Sequence, residues 1–166
     1  MKNKKMWLGM LAMALIFGMT VVGCDLLFPE EEDEIKWNGH RYRRIDEIKN
    51  WTDAKAYSEA QGGHLVTITS KDEQSAIKEL IDKGDKKSYW LGGYRVTGGN
   101  NFTWVTGEAM DYTNWGTGEP DDLNSGQDYM SIAREAYSGY GWSVGIGQWD
   151  DEAGNVSTNG FVIEWD

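Results

Sequence analysis

Helical periodicity in this chain is confined to residues 51–83, and the residues beyond read as short strands between long loops rich in Gly, Asn and Asp. A parallel sheet needs helices between successive strands, so this distribution points instead to an α+β fold. Trp51, Ala54, Tyr57 and Ala60 recur at helical spacing, Asn50 or Thr52 can cap the first turn, and Gly62-Gly63 stops the helix near Gln61. Ser70-Lys71-Asp72-Glu73 has the form of a capping box, in which hydroxyl and carboxylate satisfy opening amides reciprocally. A second helix is predicted from there to about Lys83. Trp37, Tyr42 and Ile45, around Asn38-Gly39, predict an opening hairpin, and residues 64–69 alternate as a strand. Further strands are expected at 89–94, 102–105, 129–133 and 160–165. The segment 114–127 is too long for an idle connection, and long ordered loops usually carry function or hold a metal.

The chain of 166 residues has one cysteine and two histidines, His40 and His64. An intrachain disulfide, a Cys/His zinc cluster and a Cys-His catalytic pair within a cysteine framework are thereby excluded. Neither histidine has a ligand-type partner nearby in sequence, so both read as structural. The net charge of −11 argues against nucleic acid, whose backbone is recognised by Lys and Arg that displace counterions. It equally disfavours plain adhesion to anionic lipid. Cationic partners remain, above all metal ions held by oxygen.

Lys2, Lys4 and Lys5 precede an apolar run from Trp7 to Val22, with no acid before Cys24. This is the layout of a secretory signal peptide over residues 1–23. Val21-Val22-Gly23-Cys24 resembles the lipobox of bacterial lipoproteins, which implies lipid attachment at Cys24. The expectation is an exported protein anchored to a bacterial membrane, at the outer membrane or cell surface. Residues 24–34, with Pro29 and acids from Glu30 to Glu34, have too little apolar content to pack and are expected to form a solvated tether. One folded domain is expected over 35–166.

Glu119, Asp121, Asp122, Asp128, Asp150 and Asp151 concentrate carboxylates in two short stretches with Gly and Pro between them. Calcium takes about six to eight oxygen ligands in a flexible shell, which loops supply readily. An exposed acidic loop that merely aids solubility is the plainer reading of the same residues. Two carboxylates such as Glu119 and Asp151 could in principle hydrolyse a glycoside. Each acid is surrounded by others, however, which suits a cation and leaves no obvious raised-pKa acid once metal is bound. Nor is there a Gly-x-Ser-x-Gly, a phosphate loop or a His-Glu-x-x-His, so no enzyme is expected.

Asn50-Trp51-Thr52-Asp53-Ala54, Gly63-His64-Leu65-Val66-Thr67-Ile68, Tyr89-Trp90-Leu91-Gly92-Gly93 and Phe102-Thr103-Trp104 follow one another along the chain. Tyr112-Thr113-Asn114-Trp115, Glu119-Pro120-Asp121, Trp149-Asp150-Asp151 and Phe161-Val162-Ile163-Glu164 come next. In this order and spacing they resemble the C-type lectin-like domain over nearly all of residues 35–166. The resemblance implies two helices packed on short antiparallel sheets, with a long calcium-binding loop region. Ser58, Tyr129, Gly154 and Ile163 stand where the family usually has its four core cysteines, so tryptophan packing is expected to do the holding.

By the same resemblance Glu119, Asp121, Gln127, Asp150 and Asp151 would ligate calcium, with Gln127 where the family usually has glutamate and Pro120 in cis. Asp122 and Asp128 fit a second calcium site of some members, whose upstream acidic positions are here Arg95 and Gly99. The resemblance further implies a carbohydrate ligand. Glu119, Asp121 and Asp150 would meet sugar hydroxyls, and Tyr140 and Trp142, with Tyr137, offer faces for stacking. Glu119-Pro120-Asp121 mixes the Glu-Pro-Asn of mannose-type members with the Gln-Pro-Asp of galactose-type members, so no sugar preference is implied. The alternative partner is a host or envelope protein, with calcium structural or missing.

Overall fold

The computed structural model describes residues 32–97, 99, 101–123, 125–156 and 159–166. The expected signal peptide, Cys24 and the tether up to residue 31 lie outside them. Asn38 and Gly39 take the left-handed backbone, at φ 50° and 94°, that a tight two-residue hairpin turn requires. They join β1 (Glu34–Trp37) to β2 (His40–Ile45). The first strand thus begins one residue before the expected domain start. Its neighbour Asp33 accepts a hydrogen bond from Arg44 N at 2.7 Å, and Glu34 pairs with Arg43 at 2.6 Å.

Helix α1 (Trp51–Ala60) is capped by the Asn50 side chain, which accepts from Asp53 N at 2.8 Å. Helix α2 (Lys71–Asp82) starts at Ser70, whose hydroxyl accepts from Glu73 N at 3.2 Å. Only that half of the expected capping box forms. Glu73 instead turns inward, accepting from Thr69 N at 2.8 Å and from the buried Tyr42 hydroxyl at 2.7 Å. The tertiary tie to β2 wins over the local one. Between the helices only β3 (His64–Leu65) is regular strand. Residues 65–68 are all buried because the segment bonds on two sides: Val66 N donates to Val162 O, and Gly92 N donates to Val66 O. A two-sided core segment has no polar face, which is why alternation misjudges its extent.

The remaining strands are β4 (Ser88–Arg95), β5 (Phe102–Trp104), β6 (Tyr129–Ala133), β7 (Tyr137–Gly139), β8 (Trp142–Val144), β9 (Trp149–Glu152) and β10 (Gly160–Trp165). The main sheet runs β1-β2-β10-β4-β6-β9, with β3 on β10 and β5 on β4, while β7 and β8 form a separate ribbon. The last strand enters between β2 and β4, and its pairing with β4 is the parallel one. Two helices on a mixed sheet give the α+β architecture that the periodicity predicts. Among the described residues no helix is long and apolar enough to cross a membrane.

β4 separates two cores, which accounts for its nearly continuous burial. Tyr89 and Leu91 pack with Ile77, Leu80 and Ile81 of α2, and Trp90 packs with Trp51, Ala54 and Phe161 beneath α1. Trp51, Trp90 and Trp104 are buried as expected, whereas Trp115 and Trp165 are half-buried. At the positions expected in place of cystines, Ser58 and Ile163 are buried, and Tyr129 stacks on Trp51 with centroids 4.4 Å apart. A Cβ on Gly154 would come 2.4 Å from the Tyr129 ring. Tyrosine against bare backbone therefore fills that space.

Candidate metal centre

Trp149 fixes the site from below. Its ring is fully buried, its Nε1 donates to Gln74 Oε1 at 2.8 Å, and Trp104, Tyr112 and Trp115 meet it edge-on at 5.7, 5.6 and 5.9 Å. β9 is the last strand of the sheet, with Met130 opposite Asp151 and Ser131 opposite Asp150. The long loop runs along its outer edge at first, through Trp149 N to Asn114 O and Gly116 N to Trp149 O, and then turns away at Gly118, φ 89°. Glu119–Pro120 is cis, as the resemblance implied. Just beyond it, Asp121 N and Asp122 N donate to Asp151 Oδ1 and Oδ2, each at 3.0 Å.

The loop thereby brings Glu119 to Asp150 and Asp151, with one oxygen of each within 4.8 Å of the others. Three carboxylates this close disfavour one another's ionisation. Burial, then the charges of Asp150, Asp121 and Asp151, push Glu119 from its ordinary 4.5 up to about 8. Asp150 rises to about 7, chiefly through burial, although the Tyr137 hydroxyl donates to it at 2.9 Å. Asp151 is also raised by burial, against the pull of its two backbone donors and of Arg95.

The remaining predicted ligands are placed differently. Asp121 is exposed, and its Oδ1 accepts from Leu123 N at 2.8 Å within its own turn, so its side chain adds charge rather than a converging oxygen. Gln127 donates through Nε2 to Asp151 O at 2.6 Å, which leaves its Oε1 buried with no hydrogen-bond partner. Three mutually repelling carboxylates, with a lone buried amide oxygen on the residue bonded to the Asp151 backbone, fit a hard cation with oxygen ligands. Glu119, Asp150, Asp151 and Gln127 are the residues that would hold it.

Asp122 and Asp128, the predicted second metal pair, face the guanidinium of Arg95 instead. Arg95 lies 3.9 Å from Asp122, 3.3 Å from Asp128 and 2.7 Å from Asp151, and is only 10% exposed. Sequence reasoning notes Arg95 as a departure but misses its role, since nothing local shows that a residue in β4 reaches the loop. Glu152, the next acid along β9, is also missed; its carboxylate accepts from Ser131 and Asn159.

Beside Asp150 opens a cavity of about 500 Å³, lined among others by Leu123, Gln127, Tyr137 and Glu152. Of the aromatic residues predicted to stack on a ligand, Tyr137 reaches Asp150 directly and meets Trp142 edge-on at 6.0 Å. Their ribbon is tied to the loop by Thr117 and Ser143, which exchange backbone hydrogen bonds. A Cβ on Gly118 would lie 3.2 Å from Trp142, so Trp142 flanks the Glu119 turn. Tyr140 is fully exposed at the ribbon's tip.

The family model for the lectin C-type domain matches residues 47–162. The chain belongs to the C-type lectin family. This lectin is 30% identical over 117 residues to a perlucin-like protein of Mytilus galloprovincialis, covering 69% of each chain. It is 33% identical over 105 residues to snaclec 5 of Echis pyramidum leakeyi, covering 60% of this chain and 72% of that one. Its fold superposes on the carbohydrate-recognition domain of cow CD23, solved in the presence of a GlcNAc2Man3 oligosaccharide, with a TM-score of 0.67 and 25% identity. That match covers 81% of this chain and 93% of the other. A calcium-independent type II antifreeze protein shares the fold at a TM-score of 0.65 and 22% identity, covering 80% and 91%.

The raised acids of this lectin set a pH dependence. Unfolded, Glu119 and Asp150 ionise near pH 4; folded, they keep protons up to about pH 8 and about pH 7. Between those limits the folded state binds more protons, so stability falls as pH rises. In chelator, the thermal midpoint is expected to be lower at about pH 8.5 than at about pH 5.5, with a smaller difference in Glu119→Gln. A midpoint that rises over this interval contradicts the assignment.

Proposed function

We propose that this lectin binds carbohydrate through one calcium ion held by Glu119, Asp150, Asp151 and Gln127. The observation that carries the reading is the convergence of three carboxylates, with Gln127, whose Oε1 has no partner, bonded to the Asp151 backbone. Calcium would supply the positive charge that those acids lack, and would coordinate neighbouring hydroxyls of a sugar. Each hydroxyl could still donate its proton to a ligand carboxylate. Asp150 accepts but cannot donate while ionised, so a sugar rich in donors suits the site. The cavity beside Asp150, with Leu123 and Tyr137 on its walls, can take the sugar's less polar face.

Immobilised glycans probed with the full chain are expected to capture it in calcium and release it in chelator. Glu119→Ala, which removes a ligand oxygen, should lower binding at least about tenfold, since losing even a residue that supports a metal ligand costs about that much. Capture that chelator leaves unchanged counts against the reading. One observation favours a second reading, a protein-binding module of the same fold without calcium: Arg95 already neutralises part of the Asp151 charge. Chelator-resistant capture of a protein partner would support that alternative.

We further propose that the chain is exported in a bacterium and anchored through lipid on Cys24, a reading that rests on Lys2 to Cys24 alone. Cys24→Ala is expected to move the protein to the soluble fraction or to leave an unprocessed, slower-migrating form. A variant with normal mobility that still partitions into detergent rejects the anchor.

A further inference from the structure

Both histidines of the chain converge on the ladder of β2 and β10, with β4 and β6 between it and β9, which carries Asp150 and Asp151. Register pairs Arg41 with Trp165 and His64 with Glu164, which carries His40, His64, Glu164 and Asp166 to one end of that ladder. His40 Nδ1 lies 2.8 Å from Glu164 Oε1 and 3.2 Å from Asp166 Oδ1. Ligand atoms of these three residues all lie within 4.8 Å of one another. His64 approaches from the other side, its Nε2 3.5 Å from the same Asp166 oxygen. Absence of sequence neighbours makes these histidines read as structural; the fold supplies the neighbours.

Two features point beyond ordinary ion pairing. His64 Nδ1 lies 2.9 Å from Leu65 O, and donation there makes Nε2 a bare acceptor. That Nε2 is buried and has no hydrogen-bond partner. In the neutral ring it faces a carboxylate oxygen, so two acceptors oppose one another until a proton or a cation comes between them. A proton on His40 serves Glu164 but leaves this His64–Asp166 opposition in place. A cation between them relieves it, and a ring whose other nitrogen donates to a backbone carbonyl is the usual support of a metal-binding histidine.

The surroundings agree. Glu164 is 1% exposed, and its second oxygen is held by Thr67 N at 2.9 Å and by Thr67 Oγ1 at 3.1 Å, as the outer oxygen of a ligating carboxylate usually is. The adjoining cavity of about 220 Å³ is lined by Glu73, Glu108 and Glu164, and among the described residues no lysine or arginine lines it. Donor atoms about 2.0–2.2 Å from a tetrahedral ion stand roughly 3.3–3.6 Å apart. The His40–Asp166 and His64–Asp166 separations of 3.2 and 3.5 Å match that spacing, His40–Glu164 need open only by about half an ångström, and the His64 ring, which lies outside the close trio, would have to swing inward to complete the set.

We propose that His40, His64, Glu164 and Asp166 form a second cation site, separate from the calcium centre, that takes a divalent transition metal of the zinc class. Imidazole and carboxylate donors together select such an ion over calcium or magnesium. The full chain, stripped with chelator and titrated with zinc chloride, is expected to bind one zinc, and cobalt(II) in its place should give the strong visible absorption of a tetrahedral site. His40→Gln should weaken zinc at least about tenfold. Asp166→Asn should do the same, and this residue is 73% exposed, so the change leaves folding intact. Glu119→Gln should leave zinc affinity unchanged, which separates failure here from failure of the calcium reading. No zinc uptake by the folded chain at micromolar concentration, or uptake that His40→Gln and Asp166→Asn leave unaltered, overturns the site.

Discussion

The carboxylate of Asp151 joins the sheet to everything that carries chemistry at the upper edge of the domain. It is fully buried on β9, and it receives Asp121 N, Asp122 N and the Arg95 guanidinium. A buried carboxylate without partners costs several kcal/mol, so these donors are what permit it to be there. In return the donors are fixed. The loop after Pro120 can take only the path that brings both amides to Asp151, and that path delivers Glu119 to the same place. Trp149, two residues earlier, keeps β9 in register through its three edge-on rings and its bond to Gln74.

Arg95 changes the charge arithmetic of this edge. Asp122, Asp128 and Asp151 share one guanidinium, so a metal is not required to hold their part of the loop. Glu119 and Asp150 have no such partner among the described residues, and burial together with the charges of neighbouring acids raises their affinity for protons. One side of the acidic region is thus neutralised by the protein itself, and the other is where the proposed cation would bind. That division argues for one calcium rather than two.

Much of the fold is legible in the sequence because local rules and tertiary demands agree there. Asn50 and Ser70 cap the helices that their positions predict, Asn38-Gly39 makes its hairpin, and 129–133 and 160–165 are strands with the expected bounds. Legibility fails where a residue's partner is remote. Glu73 leaves its capping box for Tyr42, Arg95 crosses to the loop, and His40 meets Glu164 across 124 residues. β7, β8 and β9 escape a sequence reading because three- and four-residue strands rich in Gly, Ser and Asp show no alternation. At the candidate site, family order locates Glu119, Asp150, Asp151 and Gln127, but not the turn of Asp121 into its own backbone.

The central claim is that this edge of the domain is built for a single calcium ion. Calorimetric titration of calcium into the chelator-stripped full chain tests it most directly, with Gln127→Glu as the informative variant. One ion per chain is expected, with tighter uptake in Gln127→Glu, where a charged oxygen replaces the amide beside the acid trio. Two ions per chain, or no uptake by the folded protein at millimolar calcium, would contradict it.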